Sequence, residues 1–237
     1  MEVLVKTTNL TKVYKETVAV SNLNMTINKG EIYGFIGENG AGKSTVIKLL
    51  TNIVNPTSGS YQINIDKRIG NIAAIVENPA IHNSLNALNN MVFQAKMLGL
   101  KKSVEELKEL LIQVGLEDVI HLKKRAKDFS LGMKQRLSIA LALIGDPEFI
   151  LLDEPMNGLD PLGIRKMREL IILLNRERNI TFLISSHILT ELDKVATRYG
   201  FISKGKLIKE ITQKELHELD IGIEDYYLEI VEGIKYV

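Results

Sequence analysis

The chain has 237 residues, 45% of them hydrophobic and 25% charged, which is the composition of a soluble globular protein with room for one large domain or two small ones. A formal net charge of +1 argues against a nucleic-acid partner, since a DNA-binding domain usually carries a clear basic excess, and the lack of cysteine excludes disulfides and thiolate metal sites. The most apolar segment, residues 137–155, is interrupted by Gly-Asp-Pro, so we expect no membrane span, no signal peptide and a cytoplasmic location.

Short strands and one helix are predicted in the first part of the chain. Apolar runs bounded by turn residues indicate strands across residues 2–36. Helical spacing begins near Ser44 and stops before the Asn-Pro pair at 55–56. The segments 60–65 and 71–77 have the pattern of a strand pair.

The rest of the chain alternates helices and strands. Residues 83–128 are mostly helical, and Ser103 with Glu106 forms a predicted capping box. The later predicted elements are helices over 134–144, 161–178 and 187–196, strands over 148–153, 180–185, 199–203 and 206–211, and a short helix and strand from 223 to 233. This alternation predicts a parallel α/β sheet, with the helical block inserted between strands as a subdomain.

A glycine-rich loop at residues 37–45 (GENGAGKST) matches the pattern G-x-x-x-x-G-K-[ST], follows a predicted strand and opens a predicted helix. Such glycines let backbone N–H groups surround a β-phosphate, and the helix N-terminus adds its positive end. Lys43 is expected to bridge the β- and γ-phosphates, and the Ser44 hydroxyl to ligate Mg²⁺. The strand before and the helix after argue against a turn that binds nothing. The other residues predicted to contact nucleotide here are Gly37, Asn39, Gly40, Gly42 and Thr45.

Two adjacent carboxylates, Asp153 and Glu154, end a predicted apolar strand. Beside a phosphate loop, Asp153 can hold Mg²⁺ through its water shell, and Glu154 can orient or deprotonate an attacking water. Alone, Asp-Glu after a strand is most often a solvated turn. The phosphate loop in the same chain favours the catalytic interpretation.

The segment 128–143 (DFSLGMKQRLSIALAL) indicates a family. Ser130 is a good N-cap for the following helix. Residues 129–136 also resemble the signature sequence of ABC-type ATPases, and the resemblance covers nearly the whole chain, with the motifs in the family's order. The signature departs from Leu-Ser-Gly-Gly-Gln, because Leu131 replaces the first glycine and Met133 the glutamine, while Ser130 and Gly132 are kept.

The resemblance implies a fold and a division of the chain. The expected fold is a P-loop NTPase of the ABC type, with a mostly parallel core sheet, an N-terminal antiparallel β subdomain and an inserted α-helical subdomain. The whole chain, 1–237, would be a single domain. Residues 1–82 and 145–237 would form the catalytic core and β subdomain, and 83–144 the helical subdomain with its signature helix.

Further site residues follow from the resemblance. Tyr14 stands at the position of the adenine-stacking aromatic, Asp160 lies in a match to the D-loop (NGLD), and His187 stands at the switch histidine. In isolation, Tyr14 would more often be a half-buried strand residue and His187 a surface or core histidine. Ser130 and Gly132 would face the γ-phosphate of a nucleotide bound to a second subunit.

Glu77 occurs where most ABC ATPases carry glutamine, in the loop that joins the catalytic core to the helical subdomain. In the family that glutamine reaches the metal and the attacking water when nucleotide binds, and its loop receives the coupling helix of the transporter. Glutamate here, with proline two residues later, resembles the ATPase subunits of lantibiotic self-protection transporters. The alternative is that Glu77 only ends a strand and faces solvent.

The function implied is that of an ATP-hydrolysing subunit, with ATP and Mg²⁺ as cofactors. It would form an ATP-dependent head-to-tail homodimer and energise membrane permease subunits on separate chains, at the inner face of the cell membrane. Export of lantibiotics or related peptide antibiotics is the preferred function. The alternatives are an exporter of drugs, sodium or lipids, and a non-transport ABC ATPase acting on ribosomes or DNA.

Overall fold

The computed structural model describes residues 2–66, 68–76 and 80–232, which form two β-sheets flanked by helices. The strands are β1 (Val3–Tyr14), β2 (Thr17–Leu23), β3 (Thr26–Asn28), β4 (Ile32–Ile36), β5 (Ser58–Ile63), β6 (Ile72–Ile75), β7 (Phe149–Asp153), β8 (Thr181–Ser186), β9 (Arg198–Ser203) and β10 (Lys206–Thr212). The helices are α1 (Lys43–Leu50), α2 (Ala87–Met97), α3 (Val104–Gln113), α4 (Leu131–Leu143), α5 (Pro161–Arg178), α6 (Leu189–Asp193), α7 (Gln213–Glu218) and α8 (Ile223–Glu232). Two single-turn 3₁₀ helices span Glu117–Val119 and Ala126–Asp128.

The larger sheet has the strand order β10-β9-β4-β8-β7-β6 and is parallel except for the β9–β10 pair. Its central strands are buried along their whole length, as expected for a parallel sheet covered on both faces. Side chains alternate between the two faces: Ile150 and Leu152 of β7 join one apolar cluster, and Phe149 and Leu151 join the other. The predicted parallel α/β core is confirmed.

The smaller sheet is antiparallel and N-terminal, with β1 pairing with β2, β3 and β5. The predicted pairing of segments 60–65 and 71–77 is therefore wrong. β5 lies in the small sheet and β6 on the edge of the core sheet. Hydrogen bonds hold the two strands in different sheets. The N–H of Asn64, just after β5, donates to the carbonyl of Leu4 in β1 at 2.7 Å. The side chain of Asn71, just before β6, donates to Glu148, just before β7, at 2.8 Å.

The helical block packs α2, α3 and α4 into the same apolar cluster as one face of the core sheet. The predicted capping box is confirmed: the Glu106 N–H donates to Ser103 Oγ at 3.2 Å, and the Ser103 N–H to Glu106 Oε2 at 2.7 Å. Hydrogen bonds from the backbone N–H and the side chain of Ser103 to the Glu106 carboxylate lower the pKa of Glu106.

Two predicted elements near the C-terminus differ from the structure. Residues 223–232 form one helix, α8, in place of a helix and a strand, because Tyr226 packs edge-on against Phe201 and the apolar face of the helix covers the core sheet. The helix predicted over 187–196 is limited to α6, Leu189–Asp193. None of the helices in the described ranges is long and apolar enough to cross a bilayer.

Candidate nucleotide site

The glycine-rich loop encloses a cavity of about 200 Å³ at the C-terminal end of β4. Gly40 and Gly42 have φ values of 83° and 108°, which side-chain-bearing residues rarely adopt. A Cβ on Gly42 would lie 2.5 Å from the carbonyl oxygen of Ala19, and one on Gly37 would lie 2.4 Å from that of Ile202. The cavity is lined by Ala19, Glu38, Asn39, Gly40, Gly42, Lys43, Ser44, Thr45 and Glu154.

Lys43, the first residue of α1, is buried over this loop. Its ammonium donates to the carbonyl oxygens of Gly37 at 2.6 Å and Glu38 at 3.1 Å. It also lies 3.4 Å from Oε1 of Glu154. A cation is thus held against the glycine-rich loop at the N-terminus of α1, an arrangement suited to a polyphosphate.

The two predicted carboxylates stand at the end of β7, beside the loop. Asp153 is buried, and its Oδ1 accepts a hydrogen bond from Ser185 Oγ at 2.5 Å. Glu154 follows with φ of 51°, in the left-handed region, and its N–H donates to Ser185 Oγ at 3.0 Å. Backbone strain of this kind costs about 1–3 kcal/mol and persists only where surrounding contacts impose it. Here the contacts turn the Glu154 side chain into the cavity.

Ser185 was missed by sequence reasoning. It is fully buried and pairs with Asp153 in the parallel register of β7 and β8. The available signal was the polar Ser-Ser pair that ends the apolar run 180–186. Because the carboxyl ends of parallel strands meet at one edge of a sheet, that pair lies next to Asp153.

His187 follows β8 and contacts Glu154 directly. Its Nδ1 lies 2.7 Å from Glu154 Oε2, and its N–H donates to the same oxygen at 3.4 Å. The other oxygen, Glu154 Oε1, is buried and receives no hydrogen bond within the described ranges. Glu154 therefore lies between a histidine and a lysine, with Oε2 bonded to His187 and Oε1 facing the Lys43 ammonium at 3.4 Å.

The signature residues gather around a second cavity of about 340 Å³. Ser130 caps α4, accepting from the Met133 N–H at 3.3 Å, and Asp160 caps α5, accepting from the Gly163 N–H at 2.9 Å. A Cβ on Gly158 would lie 3.1 Å from Leu131 Cδ2, so the leucine that replaces a signature glycine abuts the D-loop. The lining residues are Ser130, Leu131, Gly132, Arg136, Gly158, Leu159, Asp160, Leu162, Gly163 and Lys166.

This second cavity shares no lining residue with the cavity of the glycine-rich loop. The two cavities are therefore separate, one with the loop, the lysine and Glu154, and one with two capped helix N-termini.

Tyr14 ends β1 and is 41% exposed. It pairs with Thr17 across the β1–β2 hairpin, and Ala19, two residues further along β2, lines the cavity of the glycine-rich loop. Lys12 lies against the ring, with Nζ 4.9 Å from its centroid. The predicted adenine-stacking residue is therefore an accessible aromatic on a hairpin that also contributes Ala19 to the wall of the cavity. Glu77, the remaining predicted site residue, lies outside the described residues.

A strand, glycine loop and helix with a buried lysine, next to two carboxylates on a neighbouring parallel strand, define a P-loop nucleoside triphosphatase. Comparison with known proteins narrows this class. The profile of the family described as "ABC transporter" matches residues 20–157.

Two curated relatives are similar over most of their length. The bacitracin transport ATP-binding protein BcrA of Bacillus licheniformis is 46% identical over 220 residues, which cover 89% of this chain and 70% of the relative. The lantibiotic transport ATP-binding protein SrtF of Streptococcus pyogenes is 44% identical over 211 residues, covering 87% of this chain and 90% of the relative.

Among solved structures, the ATP-binding cassette MJ0796, in a dimeric post-hydrolysis state bound to ADP and Pi, matches with a TM-score of 0.76 and 27% identity, over 89% of this chain and 99% of that one. The chain belongs to the ABC transporter family, as an ATP-binding and ATP-hydrolysing subunit.

Proposed function

We propose that this chain powers the export of peptide antibiotics through a permease formed by separate chains. The observation that carries the proposal is the similarity to two relatives named for bacitracin and lantibiotic transport, at 46% and 44% identity. The glutamate at position 77 points to the same branch. Export of drugs, sodium or lipids remains the alternative within transport.

The nucleotide site would be built on the glycine-rich loop. The backbone N–H groups around Gly40 and Gly42 would surround the β-phosphate, and Lys43 would exchange its contacts to Gly37 and Glu38 for phosphate oxygens. Tyr14 would stack on the adenine, since this exposed aromatic lies on the same hairpin as Ala19, which lines the cavity of the loop. The remaining proposed contacts come from Asn39, Ser44 and Thr45, which line the same cavity.

The residues present fit Mg²⁺. Mg²⁺ prefers oxygen ligands and usually takes one or two from the protein, with water and phosphate supplying the rest. Ser44 would supply a hydroxyl and Asp153 a carboxylate that acts through the water shell of the ion, and no group of three or more acidic or histidine side chains within the described ranges forms a metal cage of its own. When bound, Mg²⁺ would neutralise charge on the β- and γ-phosphates. Glu77 is a further proposed contact to the metal.

Glu154 and His187 would carry the chemistry. Glu154 Oε1 is buried and, within the described part of the chain, accepts no hydrogen bond; its nearest cation is the Lys43 ammonium 3.4 Å away, so it can still accept a hydrogen bond from an attacking water. His187 would contact the γ-phosphate and, through its hydrogen bond to Oε2, fix the orientation of the carboxylate. Lys43 would stabilise the negative charge that develops on the phosphate.

A second copy of the chain would complete the site. The cavity of Ser130, Gly132 and Asp160 is separate from the glycine-rich loop of its own chain, and its capped helix N-termini suit an anion. A head-to-tail homodimer would place this cavity over the γ-phosphate of the partner. Because ATP would build the interface, the chain should be monomeric or weakly associated without nucleotide.

The permease would dock beside the edge strand β6. An apolar groove of about 410 Å³ lies between β6 and helices α2 and α4, lined by residues such as Ile75, Gln94 and Leu141. Glu77 stands two positions after the last residue of β6 in the sequence. The proposed location of the chain is the cytoplasmic face of the cell membrane, where the permease would hold it.

A survival assay tests the proposal. A strain with the cognate permease genes would express wild-type protein, Glu154→Gln or Glu77→Gln and be challenged with bacitracin, several lantibiotics and unrelated drugs. We expect protection against a peptide antibiotic that disappears with Glu154→Gln, and altered protection or ATPase rate with Glu77→Gln. Protection against none of the peptides would move the substrate to another class, and an unchanged Glu77→Gln variant would leave that residue without a role.

A further inference from the structure

Lys12 covers one face of the Tyr14 ring. The two residues are two positions apart on β1, so their side chains leave the same face of the strand. The Lys12 ammonium lies 4.9 Å from the ring centroid, within the range of a cation–π interaction. Tyr14 as a whole is nevertheless 41% exposed, which leaves room for a second planar group to stack on its ring.

The same ammonium is anchored at a second point. Lys12 Nζ donates to the carbonyl oxygen of Asn55 at 2.8 Å. Two neighbouring hydrogen bonds fix this contact, from the Val13 N–H to Thr57 Oγ1 at 3.0 Å and from the Thr57 N–H to the carbonyl of Thr11 at 2.8 Å. These hydrogen bonds hold the segment 55–57, which follows α1, against the strand that carries the Tyr14 ring.

This contact between segment 55–57 and β1 connects the Tyr14 ring with the phosphate loop. Helix α1 begins at Lys43, inside the phosphate loop, and leads to the segment that Lys12 holds. On the other side, the strand partner of Tyr14 leads to Ala19, which lines the phosphate-loop cavity. Lys12 is therefore positioned to set the distance and orientation of the ring relative to the phosphate loop.

We propose that Lys12 is a positioning residue for the nucleotide base. It fixes the Tyr14 ring from one face, leaves the other face to the base, and ties the ring to the segment behind the phosphate-loop helix. The inference rests on the proposed function, specifically on Tyr14 as the residue that stacks on the base.

The contact acts on the ring and not on the phosphates. Loss of the ammonium should therefore lower the affinity for nucleotides, which carry a base, and leave the affinity for inorganic tripolyphosphate unchanged. An exposed cation–π contact corresponds to about a 2- to 5-fold change in dissociation constant. ATP and GTP should lose affinity alike, because every base offers a π-face for stacking.

The experiment compares Lys12→Met, Lys12→Arg and the control Lys6→Met, which changes an exposed lysine of the same strand. The full-length variants would bind a fluorescent ATP analogue, displaced by ATP, GTP or tripolyphosphate, and kcat would be measured separately. We expect Lys12→Met to raise the dissociation constants of ATP and GTP about 2- to 5-fold. Tripolyphosphate affinity and kcat should be unchanged. Lys12→Arg should restore binding, and Lys6→Met should match wild type.

Two outcomes would overturn the inference. Unchanged ATP affinity in Lys12→Met would show that the cation does nothing for the base. An equal loss for tripolyphosphate would show that Lys12 supports only the fold of the loop. The variant Tyr14→Ala distinguishes failure of the Lys12 inference from failure of the proposed function. If Tyr14→Ala also leaves ATP affinity unchanged, the proposed stacking role of Tyr14 is wrong.

Discussion

Glu154 and His187 form a direct hydrogen bond, with 2.7 Å between Glu154 Oε2 and His187 Nδ1. The two residues come from the ends of neighbouring parallel strands, and the left-handed backbone of Glu154 aims its carboxylate at the histidine. The other carboxylate oxygen lies 3.4 Å from the Lys43 ammonium. Three side chains proposed to carry hydrolysis are thus in contact with one another.

Glu154→Gln should abolish turnover while keeping ATP binding. The amide has the shape of the carboxylate but cannot accept a proton from water, which should lower kcat by about 10²–10⁴-fold. Phosphate release and ATP affinity would be measured together, and gel filtration would test for a stable ATP-bound dimer. Glu177→Gln, an exposed carboxylate on α5, is the matched control. Normal hydrolysis by Glu154→Gln would refute the role of Glu154.

His187→Ala should lower kcat with less effect on ATP affinity, because the loop, Lys43 and Tyr14 would still hold the nucleotide. The change also removes the hydrogen bond that orients Glu154. Steady-state ATPase rates and equilibrium binding would be compared with those of His217→Ala, which alters an exposed histidine on α7. A kcat equal to that of the control would contradict the switch role.

Lys43→Ala should lose nucleotide affinity. A hydrogen bond to a charged group contributes about 1.5–3 kcal/mol, equivalent to a dissociation constant about 10- to 100-fold higher. Lys43→Arg keeps the charge, but its planar fork does not match the two loop carbonyls that the ammonium contacts, so it should rescue binding only in part. Titration with a fluorescent ATP analogue checks both variants, and wild-type affinity in Lys43→Ala would contradict the assignment.

Ser130→Ala and Ser103→Ala form a matched pair. Each serine caps a helix through one hydrogen bond, at 3.3 Å for Ser130 and 3.2 Å for Ser103. Each substitution should lower the free energy of unfolding by about 1 kcal/mol. Only Ser130→Ala should also slow ATP hydrolysis, since Ser130 lines one of the two cavities and Ser103 lines neither. Equal ATPase rates in the two variants would show that Ser130 only caps α4 and has no role in hydrolysis.

Acid should remove the stabilising contribution of Glu106. Its pKa is lowered by hydrogen bonds from the backbone and hydroxyl of Ser103, so the folded state favours the ionised carboxylate. The contribution is complete above the ordinary glutamate pKa of about 4.3 and is lost as pH falls through the lower folded value. Denaturant unfolding of wild type and Glu106→Gln should show a difference at pH 7 that disappears in strong acid. A difference that is independent of pH would contradict this.

The phosphate loop, the carboxylate pair and the helix caps were predictable because each depends on residues adjacent in the chain. The glycines at 40 and 42 are required by local φ values, and the cap at Ser103 needs only the residue three positions later. The strand pair was wrong for the opposite reason. Whether β5 and β6 join the same sheet depends on partners that the segment itself does not contain.

The sequence by itself determined the class of protein, since contiguous motifs in a family's order specify the loop, the carboxylates and the signature. Tertiary structure decided which distant side chains meet. Ser185 reaches Asp153 across 32 residues, Lys12 reaches Asn55 across 43, and Asn71 reaches Glu148 across 77. The physical reason is that such contacts follow from sheet register and strand order, which depend on the packing of the whole apolar core and not on any single segment.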